Sequence, residues 1–142
     1  MNYEIDPSLN DLSGRIIGAA IEVHKSLGPG YPESVYEESL CIELTHQQVP
    51  FLRQHRVTVS YRQIEVGEGK VDLWVDDRII VEIKAVERVL DLHGAQLLGY
   101  LKATQCLLGL LINFNCMRLY EGVQRIILGK PKTPSESPSP NL

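Results

Sequence analysis

The sequence predicts an α/β fold in which a central mixed β-sheet is flanked by helices, with elements in the order α-α-β-β-β-α-β. Three observations carry the prediction. Two helices, the first marked by a stripe of apolar residues and the second by Pro32 at its first turn, fill the first third of the chain. Two short runs rich in Val, Ile, Leu and Trp, between Gly69 and Ala85, flank the polar segment Asp76-Asp77-Arg78. A continuous apolar run, Leu107 to Phe114, follows a third helical stretch. An unbroken apolar run is the pattern of a strand buried on both faces, and a strand-helix-strand link of this length is expected to be a right-handed crossover between parallel strands.

Residues 1–9 are polar and are expected to form a flexible N-terminus. From Asn10 to Leu27 apolar residues recur at Leu12, Ile16, Ala19, Ala20, Val23 and Leu27, a helical stripe for which Asn10 or Asp11 can serve as N-cap. Gly28-Pro29-Gly30 ends it. His24 lies beside the stripe without a second ligand four residues on, so it reads as a packed or surface histidine. Pro32 falls at the first turn of a second helix that reaches about Gln48. In it Glu33 and Glu37 share one face and Tyr36 stands three residues from Glu33, although an acidic residue in a first turn is favoured by the helix dipole whatever its function.

Phe51 to Arg62 reads as a half-buried strand, with His55, Val57, Val59 and Tyr61 alternating with polar residues, and Ile64 to Gly69 as a turn region containing two glycines. Beyond the Gly69–Ala85 hairpin, Asp91 or a neighbour opens a helix to about Thr104, with Leu97, Leu98 and Leu101 on its apolar side and His93, Gln96 and Tyr100 projecting together. Met117–Tyr120 and Gln124–Leu128 are expected to be short edge strands around Glu121-Gly122. From residue 129 Pro and Ser dominate, which predicts a disordered tail over 129–142 and leaves one domain over 10–128.

A chain of 142 residues can bury one core but not two. The net charge of −4 argues against a protein that coats duplex DNA indiscriminately, while leaving room for a local basic patch. No signal peptide is visible and no apolar run is long enough to span a bilayer, so a cytoplasmic protein without a membrane partner is expected. Cys41, Cys106 and Cys116 are far apart with no C-x-x-C, which favours small buried side chains over a disulfide framework or a zinc site.

The charges inside the apolar hairpin are Asp72, Glu82 and Lys84. Burying a charge costs several kcal/mol unless it is paired or holds a metal. Side chains alternate along a strand, so Glu82 and Lys84 share a face opposite to Ile79, Val81 and Ile83. Asp72 joins them if the loop is Asp76, Asp77 and Arg78, because Val75 then faces Ile79 and Asp72 faces Glu82; a two-residue loop would put Asp72 against Val81. The odd loop is predicted. Two carboxylates so opposed call for a cation, and hard oxygen ligands suit Mg²⁺ or Mn²⁺. The alternative is a surface hairpin with a solvated charged face.

Taken together, Gly30-x-x-Glu33-x-x-Tyr36 with Glu37, Gly69-x-x-Asp72, Glu82-x-Lys84 and Gln96-x-x-x-Tyr100 resemble the GxxExxY protein family within the PD-(D/E)XK nuclease superfamily, in the order found in its RecB-like exonuclease branch. The resemblance covers about residues 10–128; Val71 stands where the superfamily name has Pro. It implies a restriction-endonuclease-like core and a metal-dependent nuclease. Asp72 and Glu82 would be metal-binding carboxylates, the Ile83 carbonyl a third ligand, and Lys84 would position the hydrolytic water. Glu33 would supply a ligand from the helix, with Glu37 in reserve and Tyr36 and His93 as further candidates. Gln96 and Tyr100 would fix the site and contact the phosphate backbone. Mg²⁺ or Mn²⁺ is the implied cofactor and nucleic acid the partner, DNA ahead of RNA, with a homodimer expected where a duplex must be spanned. Two other readings stay open: a metal- and nucleic-acid-binding regulatory module with little or no hydrolysis, and a buried polar network at an oligomer interface.

Overall fold

The computed structural model describes residues 6–129; most of the tail expected over 129–142 and the first five residues lie outside them. Helix α1 spans Pro7–Leu27. It starts earlier than the sequence suggested because Asp6, not Asn10 or Asp11, is the cap: its carboxylate accepts the Leu9 N–H at 2.9 Å, and Pro7 in the first turn has no N–H to leave unsatisfied. The helix ends at Gly28, whose φ of 69° is open to glycine and whose N–H donates to the His24 carbonyl. Helix α2, Glu33–His46, follows Pro32 and buries Tyr36, Leu40, Cys41 and Leu44.

Strands β1 (Phe51–Tyr61) and β2 (Ile64–Val75) form a long antiparallel hairpin closed by Arg62 and Gln63, both at positive φ. β2 therefore runs straight through the stretch Ile64–Gly69, which the sequence suggested as a turn. Of its two glycines only Gly69 is tightly packed. Gly67 faces Val59 beside a bulge, and Gly69 lies under the ring of Tyr100, which occupies the space a Cβ would need. Strand β3 (Ile79–Lys84) pairs with β2 through Leu73↔Val81, Trp74↔Ile80 and Val75↔Ile79, so the loop is the three-residue one predicted. Helix α3 occupies Asp91–Thr104 as expected, and β4 (Leu108–Asn113) lies parallel to β3 with Lys84 beside Asn113. The stretch 117–120 is not a strand: a short 3-10 turn covers Leu119–Gly122, with Gly122 pressed against the Asn113 carbonyl where no side chain fits. β5 (Val123–Ile127) then pairs antiparallel with β4, giving a mixed sheet of order β1-β2-β3-β4-β5.

Each face of this sheet has its own core. Helices α1 and α2 cover Leu73, Val75, Ile79, Val81, Leu110 and Ile112, while α3 lays Leu97 and Leu101 over Ile80 and Leu111. Leu97 packs directly on Gly109, so a larger residue there would collide with it. Fully burying such side chains stabilises the fold by about 1.5–3 kcal/mol each. All three cysteines are unpaired, with Cys41 and Cys106 buried and Cys116 half-buried. Burial pushes the Cys41 thiol up to about 11, against the opposing pull of Arg53. His24 is packed, its Nε2 2.8 Å from the Cys116 carbonyl oxygen. No helix among the described residues is long and apolar enough to cross a membrane.

Candidate active site

One step beyond Leu73↔Val81, the same register sets Asp72 opposite Glu82. The rungs Arg53↔Leu73 and His55↔Val71 set Gln54 opposite Asp72 in turn. Gln54, Asp72 and Glu82 thus form a row across three adjacent strands. Strand β2 turns over at this level: Leu73 packs in the core under α1 and α2 and Val71 in the core under α3, whereas regular alternation would put both on one face. The Ile83 N–H donates to Asp72 Oδ2 at 2.7 Å, so a carboxylate takes the place of the next backbone rung between β2 and β3.

Glu82 is buried, at 9% exposure, and its Oε1 has no hydrogen-bond partner among the described residues. Burial, and then the neighbouring Asp72 charge, push its carboxyl up to about 9, only partly offset by the ammonium of Lys84. In the metal-free protein at neutral pH Glu82 therefore carries a proton beside the Asp72 carboxylate. Lys84 is half-buried on the same side of β3 as Glu82, and its carbonyl accepts the Phe114 N–H at 2.9 Å. The chain leaving Lys84 is gripped by buried Asn113, which accepts the Val86 N–H at 3.0 Å and donates to the Val86 carbonyl at 2.9 Å.

The two acidic candidates of α2 separate. Glu33, the first residue of the helix, is exposed, and among the described residues it makes no hydrogen bond or ion pair with Asp72 or Glu82. Glu37, one turn on, is drawn inward: Arg53 Nε meets its Oε2 at 2.7 Å, and Gln54 Nε2 donates to its Oε1 at 2.7 Å and to Asp72 Oδ1 at 3.1 Å. Among the described residues no three His, Cys, Asp or Glu side chains form a ready-made metal cluster. Asp72 and Glu82 are brought together, and Glu33 is left at the helix start, where the dipole favours it in solvent.

Tyr36 is fully buried and stacks on Phe114 with ring centres 4.6 Å apart. Its hydroxyl donates to the Gly28 carbonyl at 2.6 Å and accepts the Tyr31 N–H at 3.1 Å, which ties down the α1–α2 loop. His93 Nδ1 accepts the Leu90 N–H at 3.0 Å and so caps α3. Gln96 Nε2 donates to Tyr100 Oη at 3.4 Å, and the Tyr100 ring lies on Gly69, three residues before Asp72; the G-x-x-D and Q-x-x-x-Y stretches are thereby in contact.

A mixed sheet between helices, with two opposed carboxylates and a lysine at its polar end, is the restriction-endonuclease-like arrangement. The family model of the PD-(D/E)XK nuclease superfamily matches residues 10–126, and the chain belongs to that superfamily. No curated protein and no solved structure matches the chain. The superfamily points to a metal-dependent nuclease acting on nucleic acid, and its members generally use divalent metal ions. The residues present fit such an ion, because a buried carboxyl oxygen without a partner among the described residues, beside a second carboxylate, is a donor set that a hard cation would satisfy.

Sequence reasoning missed Gln54, Arg53 and Asn113. Gln54 becomes visible only once Arg62-Gln63 is read as the turn, since that register sets it against Asp72. Asn113 carried a signal, as the one polar residue closing an otherwise apolar run.

Proposed function

We propose that this chain is a metal-dependent nuclease that hydrolyses phosphodiester bonds of DNA. The observation that carries the reading is buried Glu82, with an oxygen lacking a partner among the described residues, beside half-buried Asp72 and Lys84. Asp72, Glu82 and the Ile83 carbonyl would hold Mg²⁺ or Mn²⁺, with Glu33 or Glu37 contributing from α2. The bound ion would lower the pKa of a water and neutralise charge on the scissile phosphate. Lys84 orients that water, and Gln96 and Tyr100 contact the phosphate backbone. The four motifs support placing the chain with the GxxExxY family of the RecB-like branch, and a second copy would let so small a domain span a duplex.

Purified protein with Mg²⁺ or Mn²⁺ should cleave single-stranded, duplex or branched DNA, and Lys84→Ala should abolish cleavage while retaining the metal. No cleavage of any of the three, or an active Lys84→Ala, overturns the hydrolytic reading. The net charge of −4 favours a second one, a regulatory module that binds metal and nucleic acid without turnover. Calorimetry with Mn²⁺ beside a DNA-binding assay separates the two.

A further inference from the structure

Gln54 is the one residue within a strand, among those described, that has a positive φ without being glycine. Its φ is 51°, whereas Gln48, Arg62, Gln63, Asp76, Asp77 and Gln105 take such angles in turns and at helix ends. An L-residue in this conformation is strained, and strain of this kind persists where the surroundings make use of it. What it achieves is visible in the side chain. The amide of Gln54 has two N–H bonds, and its nitrogen lies within hydrogen-bond reach of both Glu37 Oε1 and Asp72 Oδ1. One neutral group thus couples helix α2 to the central carboxylate of the row.

We propose that Gln54 is a positioning residue for the metal site: it sets the orientation of Asp72 toward Glu82 and brings Glu37 to the same site, at the expense of its own backbone conformation. The proposal rests on the reading that Asp72 and Glu82 hold a divalent cation. Neutrality is part of the design. A lysine or arginine in this place would neutralise Asp72 and compete with the cation, whereas an amide fixes the carboxylate and leaves its charge available. Asp72 then has both oxygens engaged, Oδ1 by Gln54 and Oδ2 by the Ile83 N–H, so its plane is set before any ion arrives. Arg53, next along β1, takes the other oxygen of Glu37.

A supporting role in folding and a positioning role predict opposite things for Gln54→Gly. Glycine accepts a φ of 51° without strain but removes the amide. If Gln54 positions the ligands, Gln54→Gly should melt at or above the wild-type temperature yet bind Mn²⁺ at least about tenfold more weakly by calorimetry, the loss usual for a residue that orients a metal ligand. Gln54→Met, which keeps the strain and loses the donors, should show the same loss of Mn²⁺ affinity without the gain in melting temperature. Unchanged Mn²⁺ affinity in both variants overturns the proposal, as does a loss of affinity that accompanies a fall in melting temperature in Gln54→Gly. Wild-type protein that binds Mn²⁺ but does not cleave DNA would sink the nuclease reading alone; wild-type protein that binds no Mn²⁺ sinks both.

Discussion

Asp72 and Glu82 face each other across the β2–β3 pair, and the backbone of the residue after Glu82 donates to Asp72 at 2.7 Å. This contact makes the two carboxylates a unit. The strands are held together at the level where their ladder gives way, with Glu82 buried and Asp72 half-buried beside it. Burial sets the state of Glu82. Asp72 keeps hydrogen-bond donors on both oxygens, whereas Glu82 has an oxygen with none among the described residues and holds its proton up to about pH 9.

Stability should therefore fall with rising pH. The ordinary value of 4.5 for Glu82 is raised to about 9 in the folded chain, so between those limits the folded state holds a proton that the unfolded state has lost. Unfolding free energy then declines with pH at a limiting rate of about 1.4 kcal/mol per pH unit: the contribution of Glu82 to stability is fully present below the unfolded value and is lost as pH rises through the folded one. Glu82→Gln should remove most of that slope, and urea unfolding from pH 5 to 9 in the presence of a chelator measures it. Parallel curves for the two proteins would show that Glu82 is not the group responsible.

Metal binding should release a proton. Glu82 must ionise to serve as a ligand, so Mn²⁺ affinity should rise by up to about tenfold per pH unit below 9 and level off above it. Calorimetry in two buffers of different ionisation enthalpy counts the protons directly. Near-zero release at pH 7 would contradict the protonated state assigned to Glu82.

Asn113→Ala should destabilise the fold by about 1–3 kcal/mol, because it leaves both backbone polar groups of Val86 without their partner. The segment after Lys84 is then freed, so DNA cleavage should fall further than Mn²⁺ affinity. Thermal melts and calorimetry on the same preparation compare the two effects.

Much of this arrangement was legible in the chain. The odd loop followed from face alternation, because a two-residue turn would have set Asp72 against Val81 and left Glu82 and Lys84 on the reverse face, whereas three loop residues put all three charges on one face. Helix α3 was legible to its end residues, since its apolar stripe is short and bounded by Asp91 and Thr104. The longer hairpin was not. Gly67 and Gly69 resemble turn residues, and the actual turn, Arg62-Gln63, contains neither glycine nor asparagine. With the turn misplaced, the register of β1 against β2 was lost, and Gln54 with it. The different surroundings of Glu33 and Glu37 were likewise invisible, because both lie on one helix face and only Glu37 meets Arg53 and Gln54.

Gly69 and Tyr100 offer a test of how the motifs depend on each other. A methyl group on Gly69 would run into the aromatic ring of Tyr100, which cannot yield as a flexible chain end would. Gly69→Ala should cost about 1–3 kcal/mol, the usual range for overpacking. It should also displace Tyr100 from Gln96, weakening the contact these residues are proposed to make with the phosphate backbone. Tyr100→Ala alone loses the ring and its packing, but Gly69→Ala added to it should cost little more, because the obstacle has gone. The double-mutant cycle, read by urea unfolding, should return a coupling of about 1 kcal/mol or more. Additive losses would mean that Tyr100 does not lie over Gly69, and that the two motifs meet nowhere near the site.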